Sequence, residues 1–284
     1  MAYWTLDDVA WQKFDAGKVT PELLSLAKAA CLVEHNGYEY ARYLGQVFAD
    51  DPEVVRLTAE WSEEEVQHGR ALRQWSELAD PSFDFDRSFK TFTTGYQLPL
   101  NDAGTGSIRG SRSGELIARC IVEIGTSSYY TAIRDFTDEP VLKEIATRIA
   151  ADEIRHYKMF HVIAQRYLAQ EKIGFWKRLG VALGRIAESE DDELSYAYYA
   201  AHLSANENEA PPYIHKTVMH RYQELAFRMY RRTHVERMTV MLFKAIGLTP
   251  RSWLNDLATR AAWRAMQSKL ARSRRINAAQ AVAV

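Results

Sequence analysis

The sequence predicts an all-α protein: an antiparallel four-helix bundle with one crossover connection and extra helices after it. Three observations point there. Four long segments repeat apolar residues at helical spacing, each is bounded by capping or proline signals, and the links between them run short, long, short. With 284 residues, 47% of them hydrophobic, the chain can bury a large core.

Thr20-Pro21-Glu22 reads as a helix start, with Thr20 as N-cap and Pro21 at the first helical position. That helix is expected to reach Phe48, with an inward stripe of Leu23, Ala27, Ala30, Cys31, Glu34, Tyr38, Ala41, Gly45 and Phe48. Asp51-Pro52 caps a second helix running to Ala79, with the stripe Val54, Leu57, Trp61, Glu65, His68, Leu72 and Trp75. Residues 80–112 carry scattered proline and glycine and are expected to form a long irregular connection, partly packed down by Phe83, Phe85, Phe89, Phe92 and Tyr96. A third helix is expected from Ser113 to Phe136 and a fourth from Pro140 to about Gln170. Their stripes are Leu116, Cys120, Glu123, Ser127, Tyr130, Ile133 and Leu142, Ile145, Ile149, Glu153, His156, Phe160, Ile163.

Helical segments are also expected at Phe175–Ala187, Asp191–Ser204, Pro212–Ile246 and Thr249–Ser273. The chain thus divides into an N-terminal lead (1–19), the bundle (20–171), a C-terminal helical extension (172–276) and a fraying tail (277–284).

Composition excludes several classes. Acidic and basic residues number 37 and 36, so bulk charge argues against a nucleic-acid partner. No run of about 18 apolar residues exists to span a membrane. Cys31 and Cys120 are far apart and imply neither a disulfide framework nor a zinc ribbon. The first fifteen residues include Asp7, Asp8 and Lys13 and lack a signal-peptide core, so a cytoplasmic protein is expected.

The chemistry lies in a repeat. Glu65-x-x-His68 recurs as Glu153-x-x-His156, 88 residues later, and lone Glu34 recurs as Glu123, 89 residues later. Residues three apart on a helix share a face, so each Glu–His pair can grip one ion. Glu34, Glu65, His68, Glu123, Glu153 and His156 all fall on otherwise apolar stripes. Isolated charges there are too costly, whereas two divalent cations would cancel four carboxylates. Oxygen-rich ligation without thiolates suits iron or manganese rather than structural zinc.

On these residues the sequence resembles the ferritin-like di-iron carboxylate superfamily, over about residues 20–170. Ile149-Ala150-Ala151-Asp152-Glu153-Ile154-Arg155-His156 is similar to the fourth-helix motif of the soluble acyl-carrier-protein desaturases. Glu64-Glu65-Val66-Gln67-His68-Gly69 and Glu123-Ile124-Gly125-Thr126 are similar to two further motifs of that family. The spacing from Glu34 to Glu65 is nearer that of rubrerythrin-like proteins. The resemblance implies two iron ions (Fe2+/Fe3+), with manganese as the alternative, one carboxylate from each half bridging them. It implies Thr126 beside the oxygen-binding face as the catalytic side chain, and Glu64 and Asp152 as acceptors orienting the histidines of the opposite half. The implied activity is dioxygen-dependent oxidation, of desaturase or monooxygenase type, of a small organic or carrier-bound acyl substrate. The implied partners are an external electron donor and a second copy in a homodimer. The alternative is a ferroxidase or a di-manganese, peroxide-handling protein with no organic substrate.

Overall fold

The computed structural model describes residues 4–96, 106–189, 193–203 and 212–282; within them all regular structure is helical, with eleven α-helices after three short 3-10 turns. Helix α1 (Pro21–His35) starts where the Thr20 hydroxyl accepts the Leu23 N–H. It stops at Asn36, and α2 (Gly37–Val47) follows at once, so the single helix expected as far as Phe48 is broken. The break follows from crowding. A Cβ on Gly37 would lie 2.7 Å from Glu65 Cβ, and one on Gly69 would lie 2.6 Å from the His35 backbone nitrogen. The turn at Asn36 also shifts the phase of the stripe. Tyr38, expected inside, is 45% exposed and donates to Glu63, while Tyr43, Leu44 and Val47 face inward.

Helix α3 (Pro52–Ala79) is capped by Asp51. The connection after it is not irregular at its start: α4 (Phe85–Gly95), capped by Asp84, buries Phe85 and Phe92. His35 lies edge-on to Phe85 and Phe89, 5.0 Å from each. The part of the connection at 97–105, with Pro99 and Gly104, lies outside the described residues. Helix α5 (Arg112–Phe136) is capped by Ser111, and α6 (Pro140–Glu171) by Glu139, whose carboxylate accepts from Val141 and Leu142.

Helices α1 and α2 pack on α3, α5 packs on α6, and α3 meets α6, so two helical hairpins face each other. The apolar interior is in two parts. One gathers Leu26, Ala30, Leu72, Trp75, Ile133, Ile145 and Ile149; the other gathers Leu44, Phe48, Trp61, Leu116, Ile117 and Phe160. The six acidic and imidazole positions occupy the stretch of each helix between them.

The remaining helices are α7 (Phe175–Ser189), α8 (Glu193–Ala201), α9 (His215–Met229), α10 (Arg232–Ile246) and α11 (Trp253–Val282). Helices α7, α9 and α10 pack on α5, which is why α5 buries residues on nearly every side. The segment expected as one helix over Pro212–Ile246 is two, separated at Tyr230 and Arg231. His234 holds that break: its Nδ1 accepts the Arg231 N–H and its Nε2 donates to Asp135. The tail expected to fray from 277 is helical to Val282, and Asn277 donates to the His220 carbonyl and to Glu224. Residues 204–211 and 283–284 lie outside the described residues. Among the described residues no helix is long and apolar enough to cross a membrane.

The close approach of α3 to the α1–α2 junction gives a paired test. Gly69→Ala is expected to destabilise the metal-free protein by about 1–3 kcal/mol in urea unfolding, because backbone must move. Gly45→Ala, where a Cβ meets nothing within 4 Å, should be neutral or stabilising by about 0.5–1 kcal/mol. Equal effects of the two would contradict this packing.

Candidate metal centre

Four helices deliver the cluster: α1 brings Glu34, α3 brings Glu65 and His68, α5 brings Glu123, and α6 brings Glu153 and His156. All six are buried, with His68 and Glu153 fully enclosed. Their ligand atoms form two groups, Glu34–Glu65–His68–Glu153 and Glu65–Glu123–Glu153–His156, within each of which the atoms lie inside 4.8 Å of one another. Glu65 and Glu153, one from each half of the repeat, belong to both.

His68 Nδ1 is 3.2 Å from Glu153 Oε1 and 3.7 Å from Glu34 Oε2. His156 Nδ1 is 3.0 Å from Glu65 Oε1, 3.7 Å from Glu123 Oε2 and 3.8 Å from Glu153 Oε2. Proximity does not become hydrogen bonding. Glu34 Oε2, Glu65 Oε1, both Glu123 oxygens, Glu153 Oε1 and both Nδ1 atoms are buried without a hydrogen-bond partner. Buried polar atoms are rarely left unmatched, and seven gathered in these two groups form a donor set that fits divalent cations.

The far sides of the histidines are satisfied. His68 Nε2 donates to Asp152 Oδ2 at 3.0 Å, and His156 Nε2 donates to Glu64 Oε2 at 2.8 Å, each across to the other hairpin. That leaves each Nδ1 facing the cluster and fixes the ring orientation. Arg155 ties the two supports together, donating to Asp152 Oδ1 at 2.5 Å and to Glu64 Oε2. The Trp4 indole donates to Asp152 Oδ2 at 2.7 Å and stacks on His68, with ring centroids 6.1 Å apart. Thr126 is half-buried beside the cluster and donates to Glu153 Oε2 at 2.6 Å; Tyr130 donates to Glu34 Oε1 at 2.5 Å.

Sequence reasoning missed Trp4, which lies in the N-terminal lead and has no local signal. It read Tyr130 as one of a helix's core residues. Arg155 stood inside the quoted motif, where its spacing of three from Asp152 was a usable clue. Cys31 and Cys120 are buried thiols held up in pKa by that burial and take no part in the donor set.

Without metal the cluster holds protons. Burial and the charges of Glu153 and Glu34 push Glu65 well above the carboxylate range, and burial with Glu153 pushes Glu123 up to about 8. Burial also opposes charging the two histidines. Asp152, Glu153 and Glu34 outweigh it at His68, and Glu123, Glu153, Glu64 and Glu65 do so at His156, so both are raised. Burial likewise opposes ionising Glu153, but the two histidines hold its carboxyl well below the usual range.

No family model matches the sequence, and no curated protein is similar to it. The chemistry is therefore read from the residues.

Groups with raised folded pKa values stabilise fully below their unfolded values and lose that contribution as pH rises through the folded ones. For Glu123 the window runs from 4.5 to about 8. Glu153, shifted the other way, acts only on the acid side of 4.5. The melting temperature of the metal-free protein should therefore fall between roughly pH 5 and pH 9. Divalent metal should flatten that slope and release protons on binding, read in weakly buffered solution with an indicator dye. A metal-free protein that melts higher as the medium turns alkaline would contradict the assignment.

Proposed function

We propose that the chain is a ferritin-like four-helix bundle, formed by α1–α2, α3, α5 and α6 with the connection after α3 as its one crossover. In this reading it binds two divalent ions, iron first and manganese as the alternative, and oxidises an organic substrate with dioxygen. The observation that carries the reading is the seven unpartnered buried ligand atoms, arranged as two groups that share Glu65 and Glu153. The resemblance of the motifs supports the oxidative chemistry by analogy.

Glu34 and His68 would help hold one ion and Glu123 and His156 the other, with Glu65 and Glu153 available to both. Such a pair of ions supplies the electrons that reduce dioxygen and the oxidising power to attack a C–H bond, giving desaturation or monooxygenation. The rest is the work of this chain. Asp152 and Glu64 hold the imidazoles in the tautomer that leaves Nδ1 free, and Arg155 keeps both acceptors in place. Tyr130 fixes Glu34 by its hydroxyl. The Thr126 hydroxyl orients Glu153 and is the exchangeable proton carried beside the cluster on its half-buried side. The two apolar clusters keep water from the ligands. Both cysteines being buried and separate, reducing equivalents would come from an external donor.

Anaerobic titration with Fe(II) should saturate at two ions per chain, and air should then be consumed in step with a supplied reductant. Glu123→Ala or His156→Ala should lose an ion, and Asp152→Asn should weaken binding about 10–100-fold. Protein that takes up neither Fe(II) nor Mn(II), or that is loaded and leaves dioxygen untouched, would remove the proposal. Disproportionation of hydrogen peroxide by the manganese form, without any dioxygen use by the iron form, would transfer it to the peroxide-handling alternative.

A further inference from the structure

Among the described residues, one buried arginine makes neither a hydrogen bond nor an ion pair. Arg119, one turn before Glu123 on α5, is 6% exposed, and its Nε is buried without a hydrogen bond. Among the described residues no carboxylate or carbonyl pairs with its guanidinium. It is held by ring faces instead, 4.6 Å from the centroid of Tyr40 and 5.9 Å from that of Trp61. The Trp61 indole N–H is also buried and unpaired. Aromatic faces offset only part of the cost of burying a cation. Two buried donors in this part of the interior, Arg119 Nε and Trp61 Nε1, thus have no acceptor.

Tyr40 donates to Glu193 Oε1 at 2.7 Å, and burial raises the Glu193 carboxyl although Arg185 and Arg119 lie near it. The place is next to the chemistry. Trp61 lies edge-on to His156, ring centroids 6.5 Å apart. Arg119 and Thr126, seven residues apart, share a face of α5 about 10 Å apart along its axis. A Cβ on half-buried Gly125, the residue before Thr126, would meet no atom within 4 Å.

We propose that Arg119, assisted by the Trp61 N–H, binds the carboxylate of an organic-acid substrate and lays its carbon skeleton along α5 toward Thr126 and the cluster. As a statement about substrate it rests on the di-metal reading; as a statement about binding it does not. A free acid is specified, because an acyl group joined to a carrier as a thioester has no carboxylate to offer. Arg119 here is a positioning residue.

Full-length protein, metal-free and Fe(II)-loaded, is titrated with benzoate and octanoate, and with benzamide and octanol as neutral counterparts. Melting temperature and calorimetry are the readouts. The carboxylates should bind and raise the melting temperature, and the neutral compounds should not. Arg119→Gln should weaken carboxylate binding on the order of tenfold to a hundredfold while two ions per chain still bind. Trp61→Phe should weaken it less. Unchanged carboxylate affinity in Arg119→Gln would overturn the proposal. So would stabilisation by formate or chloride alone, which would mark a structural anion. If Arg119→Gln does not fold, unchanged carboxylate affinity in Trp61→Phe overturns it equally. Arg119-dependent carboxylate binding in a protein that takes up no metal would leave this site standing and remove the di-metal reading.

Discussion

Burying four carboxylates within one layer is the constraint on which the rest of this structure depends. Each desolvated charge costs several kcal/mol unless it is compensated, and repulsion among four adds to that. The chain compensates in alternating shells. Inner carboxylates face the two imidazoles, the imidazoles donate outward to Asp152 and Glu64, and those two anions share Arg155. Signs alternate at every step, and each support crosses from one hairpin to the other. The polar layer therefore also ties the hairpins together where neither apolar cluster can.

That layer dictates where the backbone bends and where it must stay straight. Glu34 reaches the cluster from the last turn of α1, and the chain turns at Asn36 because Gly37 and Gly69 let the helices approach almost backbone to backbone. Helices α3 and α6 carry a Glu and a His one turn apart and run unbroken through the layer, since a bend there would separate the pair. Helix α5, with Glu123 and Thr126 on one side, is covered on its others by α7, α9 and α10.

What could be read beforehand follows the range of the interaction. The caps of Thr20 and Asp51 act within three residues, and the Glu-x-x-His pairs within one turn, so spacing alone located them. Phe85, Phe89 and Phe92 also recur at helical spacing, and α4 was legible in a segment whose glycines and prolines argued for a loop. The break at Asn36 was not legible, because its cause is Gly69, thirty-odd residues on. Trp4 meets Asp152 across 148 positions, and Arg119 stands out only because, among the described residues, its Nε finds no acceptor. The split between α9 and α10 is of the same kind, held by Asp135 from another helix.

The repeat makes the two halves of the cluster alike in ligands, but the fold does not make them alike in surroundings. On the His68 side, Trp4 donates to the supporting carboxylate and stacks on the ring, so that side is closed by the N-terminal lead. On the His156 side, no indole among the described residues donates to Glu64, and the neighbouring tryptophan, Trp61, lies edge-on to the ring and close to Arg119. A symmetric cage in symmetric surroundings would offer a ligand two equal approaches. Here one flank is sealed by a satisfied hydrogen bond and the other carries two buried donors without an acceptor, Arg119 Nε and Trp61 Nε1. The asymmetry lies outside the repeated motifs, in residues 4, 40, 61 and 119, which set the two flanks of one ligand cage apart.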